Sequence, residues 1–249
     1  MSMEIEKKID QVVEWLQDQV RKSGTKGLMV GISGGIDSAV VANLIKRAFP
    51  DNSLGVLLPI NSNPKDVEDG IAVCEKAGLK YMQMDLSEEK SDILDLVNKN
   101  LKESGLYDEE RARNTDANLR ARLRMSTLYA VANNLNYLVV GTDNAAEVYT
   151  GYYTKYGDGG VDLLPIATLK KYEVFQWAEV MGVPKSVIDR QPTAGLWEGQ
   201  TDEIEMGTTY AYIDAFLDGK VIPEMDREII ERLHRVSQHK RVMPPYPEV

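Results

Sequence analysis

Cysteine is nearly absent. Cys74 is the single thiol in 249 residues, and it falls within a helical pattern. A lone buried cysteine excludes a disulfide framework and favours a reducing compartment, so the sequence reads as cytoplasmic. Histidine is scarce as well, with His234 and His239 the only two. Their five-residue separation is a poor spacing for one helix face, and no zinc site is expected. Long hydrophobic runs are missing: Leu54-Gly-Val-Leu-Leu58 is far too short to cross a bilayer, and no membrane association is expected. The opening MSMEIEKKID is charged and has no apolar stretch of the secretory type. Basic charge is in deficit, with 29 Lys and Arg against 39 Asp and Glu, a net charge of −10. Duplex nucleic acid demands a basic face that releases phosphate counterions, so a nucleic-acid partner is not expected. The one modest basic cluster, Arg111 to Arg124, leaves room for a small anionic ligand in a focused pocket.

Hydrophobic residues make up 43% of the chain and charged residues 27%, ordinary values for a folded globular protein. We read residues 1–249 as one domain. Ile9, Val12, Val13, Leu16 and Val20 recur at helical spacing, and Gly24 and Gly27 end that helix. Leu28–Ile32 reads as a buried strand, followed by a glycine turn and a helix from about Asp37 to Phe49. Leu54–Ile60 is a second strand, Asp66–Ala77 a helix closed by Gly78, and Tyr81–Leu86 a third strand, with Ser87 as the N-cap of the next helix. Residues 104–118 are polar and charged and read as a loop. A helix follows to Leu135, then a fourth strand, Tyr137–Val140. From Pro165 onward the pattern is mainly helical. Strands alternating with helices imply right-handed crossovers and a parallel sheet covered on both faces, a three-layer α/β sandwich. Ligands in such sheets sit beyond the carboxyl ends of the strands.

Two glycine-bearing stretches fall at such ends. In the first, Gly31, Ile32, Ser33, Gly34, Gly35, Ile36, Asp37 and Ser38 follow a strand and open a helix. Gly34 and Gly35 let the backbone turn sharply and approach an anion, Ser33 and Ser38 add hydroxyls, and the helix offers unpaired N–H groups. This cradle suits pyrophosphate, yet it has neither the lysine of a Walker A loop nor the GxGxxG pattern. Asp37 would repel a bare phosphate, so its place makes sense if it holds Mg²⁺, a hard cation that favours oxygen ligands. The alternative is an ordinary glycine turn with Asp37 in the first helical turn, where carboxylates are favoured. The second stretch is Gly141-Thr-Asp-Asn-Ala-Ala-Glu147, continuing through Thr150-Gly-Tyr-Tyr-Thr-Lys-Tyr-Gly-Asp-Gly-Gly160 to Asp162-Leu-Leu-Pro165.

The SGGIDS hexapeptide resembles the signature of N-type ATP pyrophosphatases, which have the adenine nucleotide alpha hydrolase-like fold and cleave ATP between its α- and β-phosphates. The second stretch is similar to the GTDxAAE…TGxxTKYGDGGxDLLP run of NAD synthetases. Ala121-Arg-Leu-Arg-Met125, Pro192-Thr-Ala194 and His239-Lys-Arg241 match as well, so the resemblance runs from about residue 25 to 245. It implies ATP-dependent amidation of deamido-NAD to NAD, with AMP and pyrophosphate as the other products, the last step of NAD biosynthesis. By the same resemblance Glu147 joins Asp37 on Mg²⁺, and Thr142, Lys171 and Thr193 join the 31–38 loop on ATP. Arg122, Lys155, Asp162, His239 and Lys240 align with contacts to deamido-NAD. Arg122 lies beside Arg120 and Arg124, so a structural ion pair is an alternative for it. Asn144 departs from those relatives that carry histidine there. A synthetase acting on GMP precursors or tRNA, and a regulator that has lost catalysis, are the competing readings. A GMP synthetase would lack the TKYGDGG and HKR segments, a tRNA-directed enzyme should be more basic or carry an RNA-binding extension, and a regulator could discard Glu147 or Lys171, which this chain keeps.

Chemistry narrows the roles. A carboxylate is a poor acyl acceptor, so it must first be adenylated, with Ser33 and Lys171 offsetting charge on the departing pyrophosphate. Cys74 sits in a helix pattern rather than at a nucleophile's position, so free ammonia, not glutamine, is the expected donor. Ammonia is mostly ammonium at neutral pH, and a carboxylate is needed to capture it. Asp158, in the turn Tyr156-Gly-Asp-Gly-Gly160, is the candidate, the alternative being a plain turn aspartate. The helix 119–135 carries apolar residues around its whole circumference, which points to burial on every side, either within the chain or against a second copy. The family resemblance implies a homodimer with the dinucleotide sites at the interface.

Overall fold

Apolar residues on both sides of the inner strands require cover on both faces of the sheet. The computed structural model, which describes residues 2–191 and 201–248, supplies that cover. Four strands, β1 (Gly27–Gly31), β2 (Ser53–Leu57), β3 (Tyr81–Gln83) and β4 (Tyr137–Val140), pair in the order β3-β2-β1-β4. Every pairing is parallel. Along β1, Leu28 and Val30 face one layer while Met29 faces the other. In the first layer α1 (Ser2–Ser23), α2 (Ile36–Ala48), α3 (Pro64–Ala77) and α7 (Lys171–Met181) enclose Leu44, Ile45, Val73 and Trp177. The second layer is α4 (Ser87–Glu103) and α5 (Ala112–Leu135); Leu128, Tyr129 and Val131 of α5 pack on Met29, Val56 and Val139. The expected three-layer sandwich is observed.

Beyond the carboxyl end of β4 a smaller cluster forms. Here α6 (Ala145–Thr150), α9 (Asp202–Met206), α10 (Tyr210–Leu217) and α11 (Glu224–Val236) gather Ala146, Met206, Tyr210, Ile213 and Ile230. The short α8 (Lys185–Ile188) follows α7. This cluster sets α10 against α6 and the first-layer helix α7.

Several local expectations change. Residues 104–118 are not one loop: a 3₁₀ turn spans Glu109–Arg111 and α5 starts at Ala112. Polarity there reflects a solvated helix face, held to α4 by Lys90–Asp116 at 3.0 Å, while Arg120 pairs with Asp116 along α5 at 2.6 Å. Ser87 is not an N-cap. Leu86 holds that position without a side-chain bond, because Asp85 Oδ1 takes the Ser87 N–H at 2.9 Å and Ser87 Oγ accepts from Asn61 N at 2.8 Å. Strand β2 stops at Leu57, two residues before Pro59, which has no N–H for the ladder. Strand β3 is cut to three exposed residues at the sheet edge. Burial of α5 is partial within the chain, with Ala117 and Ala132 its buried residues.

Candidate functional site

The loop between β1 and α2 is built for backbone proximity. Gly34 has φ 81°, and a Cβ there would lie 2.3 Å from the Asp66 carbonyl oxygen, so only glycine fits. Ser38 Oγ donates to Gly35 O at 3.0 Å, and the Ser33 and Ser38 hydroxyls meet at 3.1 Å. Gly35 occupies the N-cap of α2 with no side-chain cap, which leaves the first-turn N–H groups of a 13-residue helix open to an anion.

Asp37 and Glu147, 110 positions apart in sequence, converge on one cation. Lys171 Nζ lies 2.6 Å from Asp37 Oδ2 and 3.5 Å from Glu147 Oε1. Asn144 organises the pair. Fully buried, it closes a capping box on α6, its Oδ1 accepting from Ala146 N and Glu147 N while Glu147 Oε2 accepts from Asn144 N at 3.0 Å. Its Nδ2 then donates to Asp37 Oδ1 at 2.9 Å. From α10, Asp214 accepts from the backbone N–H groups of Lys171 and Tyr172, both at 3.1 Å, and so fixes the start of α7. Tyr210, one turn earlier, brings its hydroxyl to 2.9 Å from Glu147 Oε1 and 3.0 Å from Asp202 Oδ2, with its ring 4.5 Å from Lys171 Nζ.

These contacts set the charge states. Burial first, then the negative charge of Asp37, pushes the Glu147 carboxyl up to about 7, against the opposing pull of Lys171. Burial alone would depress Lys171, but Asp37 and Glu147 outweigh it and hold the ammonium above its ordinary range. Among the described residues no three His, Cys, Asp or Glu side chains gather to hold an ion by themselves. Two carboxylates within reach of one cation instead form an oxygen-only donor pair, which suits Mg²⁺ when phosphate and water complete its shell.

A cavity of about 460 Å³ opens over this edge. The 31–38 loop lines it apart from Gly34, as do Thr142, Glu147, Asp158 and Lys240. Lys171 stands behind Asp37 and Glu147. Asp158 closes its own turn by accepting from Thr154 N at 3.0 Å. Lys240 donates to the carbonyls of Gly151, at 2.6 Å, and Tyr153. Besides Gly34 and Lys171, four described residues of the expected site do not line the cavity. Arg122 Nε donates to Lys155 O at 3.3 Å and Lys155 Nζ to His239 O at 2.7 Å, a linked surface group. Asp162 accepts from Tyr129 OH at 2.9 Å and Val139 N at 2.8 Å, which ties it to β4 and α5. Thr193 and the rest of Pro192-Thr-Ala194 fall outside the described residues. Asn144, Tyr210, Asp202 and Asp214 were not anticipated; of these, Asn144 alone carried a local signal, the Asn-x-x-Glu capping box.

A parallel sheet whose first strand runs into a serine-glycine anion cradle, with paired carboxylates from two strand ends beside it, defines a nucleotide-handling α/β protein. The model of the NAD synthase family matches residues 8–244. The NH(3)-dependent NAD(+) synthetase of Alkaliphilus oremlandii is 67% identical over the full length of both chains. Among solved structures, NMN synthetase from Francisella tularensis is 36% identical with a TM-score of 0.90, covering 98% of this chain and 99% of that one. NH3-dependent NAD synthetase from Campylobacter jejuni is 29% identical with a TM-score of 0.76, at the same coverage. The chain belongs to the NAD synthase family.

Proposed function

We propose that this protein is a C–N bond-forming ligase that converts deamido-NAD, ATP and ammonia to NAD, AMP and pyrophosphate. The observation that carries the reading is the convergence of Asp37 and Glu147 on Lys171 beside the 31–38 cradle. A nicotinate oxygen attacks the α-phosphorus of ATP, the bond to the β-phosphate oxygen breaks, and pyrophosphate leaves with the electron pair. Ser33, Ser38 and the N–H groups opening α2 bind the phosphates, and Lys171, kept cationic by its two carboxylates, offsets the growing charge. Asp37 and Glu147 would hold Mg²⁺, which supplies further charge neutralisation on the phosphates when bound. Thr142 and Thr193 complete the ATP site, and Arg122, Lys155, Asp162, His239 and Lys240 serve the dinucleotide.

In the second half-reaction Asp158 takes a proton from ammonium. The freed nitrogen lone pair forms the C–N bond, AMP departs with the C–O electrons, and a second proton is lost to water. Burial pushes the Cys74 thiol up to about 12, which suits a packing role rather than a glutamine-cleaving nucleophile. The same buried thiol suits the cytoplasm. We also place the enzyme in a homodimer. The half-covered α5 supports this, as does the outer groove where Arg122 adjoins Ile93, Val97 and Leu119.

The test is direct: the purified chain with ATP, Mg²⁺, ammonium and deamido-NAD should yield NAD and AMP in equal amounts, and ammonia-free glutamine should not replace ammonium. Failure to form either product would defeat the reading. The likeness to an NMN synthetase favours one second reading, amidation of the mononucleotide counterpart. Comparing kcat/KM for deamido-NAD and nicotinate mononucleotide decides between the two.

A further inference from the structure

Asp143 stands just past β4, between Thr142 and the capping residue Asn144. It is 5% exposed, lines the cavity, and accepts no hydrogen bond from any described residue. A buried carboxylate with no donor is costly, and the group either takes up a proton or is offset by a ligand or a cation. Asp158, on the 151–160 loop, lines the same cavity.

Among the described residues, the nearby basic groups attract the two through charge but donate a hydrogen bond to neither. Lys240 acts on both carboxylates, yet its Nζ donates to the Gly151 and Tyr153 carbonyls. Arg124 Nε donates to Leu58 O at 2.9 Å and its Nη2 reaches Ser62 Oγ at 3.4 Å. Around them the wall is acidic, with seven carboxylates against three basic side chains among the described lining residues. Such a wall attracts a small cation and repels a second anion.

We propose that Asp143 and Asp158 together form a binding site for ammonium, with Asp143 the buried wall and Asp158 the face open to the cavity. The inference rests on the amidation reading above and adds to it a second carboxylate. Ammonium carries four N–H donors, enough to serve both carboxylates at once, and its charge offsets what Lys240 and Arg124 leave uncompensated. In keeping with this, burial and then the negative charge of Asp158 push the Asp143 carboxyl well above its usual range, a bias that a bound cation reverses.

The experiment compares the parent with Asp143→Asn in the full assay. Parent NAD synthesis comes first, and its absence would count against the amidation reading rather than this one. In the variant the KM for ammonium should rise about tenfold or more, the effect of losing one charged hydrogen-bond partner, while the KM values for ATP and deamido-NAD stay within about twofold. Hydroxylamine, uncharged at neutral pH, should lose far less in the variant than ammonium does. Potassium, a monovalent cation of similar size, should compete with ammonium in the parent and compete weakly in the variant. An unchanged ammonium KM, or equal losses with hydroxylamine and ammonium, would overturn the proposal. Should the variant melt far below the parent, potassium inhibition of the parent decides: competition with ammonium supports the site, and its absence refutes it.

Discussion

Asn144 Nδ2 donates to Asp37 Oδ1 at 2.9 Å, so the residue that caps α6 also aims a carboxylate in the first turn of α2. One buried amide thereby ties the ends of two neighbouring strands together at the point where the phosphates would run. Asn144→Ala removes the cap and this bond at once. We expect a loss of about 1–3 kcal/mol in stability, because the buried N–H groups of Ala146 and Glu147 lose their acceptor. Turnover should fall more than the KM for ATP rises, since Asp37 is no longer oriented. Urea unfolding and steady-state kinetics check both; wild-type turnover would show that Asp37 needs no such support.

Gly34 carries φ 81° against the Asp66 carbonyl, and strain and steric overlap act together there. In Gly34→Ala, either the 31–38 loop or the start of α3 must move. The expected cost is about 1–3 kcal/mol, with loss of ATP binding by calorimetry. Gly78→Ala is the contrast. It also has a positive φ, 64°, but caps α3 with its nearest neighbour, the end of Lys46, 4.0 Å away. It should cost stability by about 1 kcal/mol and leave ATP binding intact.

Glu147 gives a pH dependence with a definite sign. Its carboxyl is raised from 4.5 to about 7 in the fold, so between those values the native state holds a proton that the unfolded chain has released. The stabilising contribution is therefore full below about 4.5 and is lost as pH rises through about 7, an effect on the order of 3 kcal/mol. Glu147→Gln should flatten this part of the stability profile relative to the parent. If the group holds Mg²⁺, adding the ion at pH 6 should release protons from the parent and few from the variant, as an indicator dye would report.

How much of this was legible depends on the distance over which each rule acts. Strand β1, the 31–38 loop, β4 and the Gly78 cap obey local pattern and capping rules, and they appear within a residue or two of their expected places. Residues 104–118 misled because charge marks solvation, not loop: α5 is half-buried, and its first turns need only one face covered. The site partners that escaped notice act across long separations. Asp214 reaches Lys171 over 43 residues, and Tyr210 reaches Glu147 over 63. No spacing in a single sequence signals an α10 aspartate that caps α7, because the link exists only once α10 has packed on the cluster beyond β4.

Tyr210 provides the last prediction. Its single hydroxyl proton serves two carboxylate oxygens, Glu147 Oε1 at 2.9 Å and Asp202 Oδ2 at 3.0 Å, and burial raises the phenol well above its ordinary range, so it stays protonated. Tyr152 repeats the arrangement one step outward, with its hydroxyl 3.3 Å from Asp202 Oδ1 and 2.7 Å from Glu205 Oε2. Tyr210 thus links α9, which follows the segment bearing Thr193 in sequence, to the carboxylate we assign to Mg²⁺, while Tyr152 ties α9 to the chain just after α6. Tyr210→Phe keeps the ring that lies 4.5 Å from Lys171 and fills the same volume in the cluster of Ala146, Ile213 and Ile230. What it removes is the donor between two buried carboxylates, worth about 1–3 kcal/mol. The fold should survive with a lowered melting temperature, and half-saturation by Mg²⁺ should move several-fold. In Tyr152→Phe, by contrast, the Mg²⁺ dependence should change little, because that hydroxyl touches neither Asp37 nor Glu147. Equal shifts in the two variants would mean that the phenols act through the packing of α9 rather than through Glu147. An unchanged Mg²⁺ dependence in Tyr210→Phe would remove the hydroxyl from any part in holding Glu147.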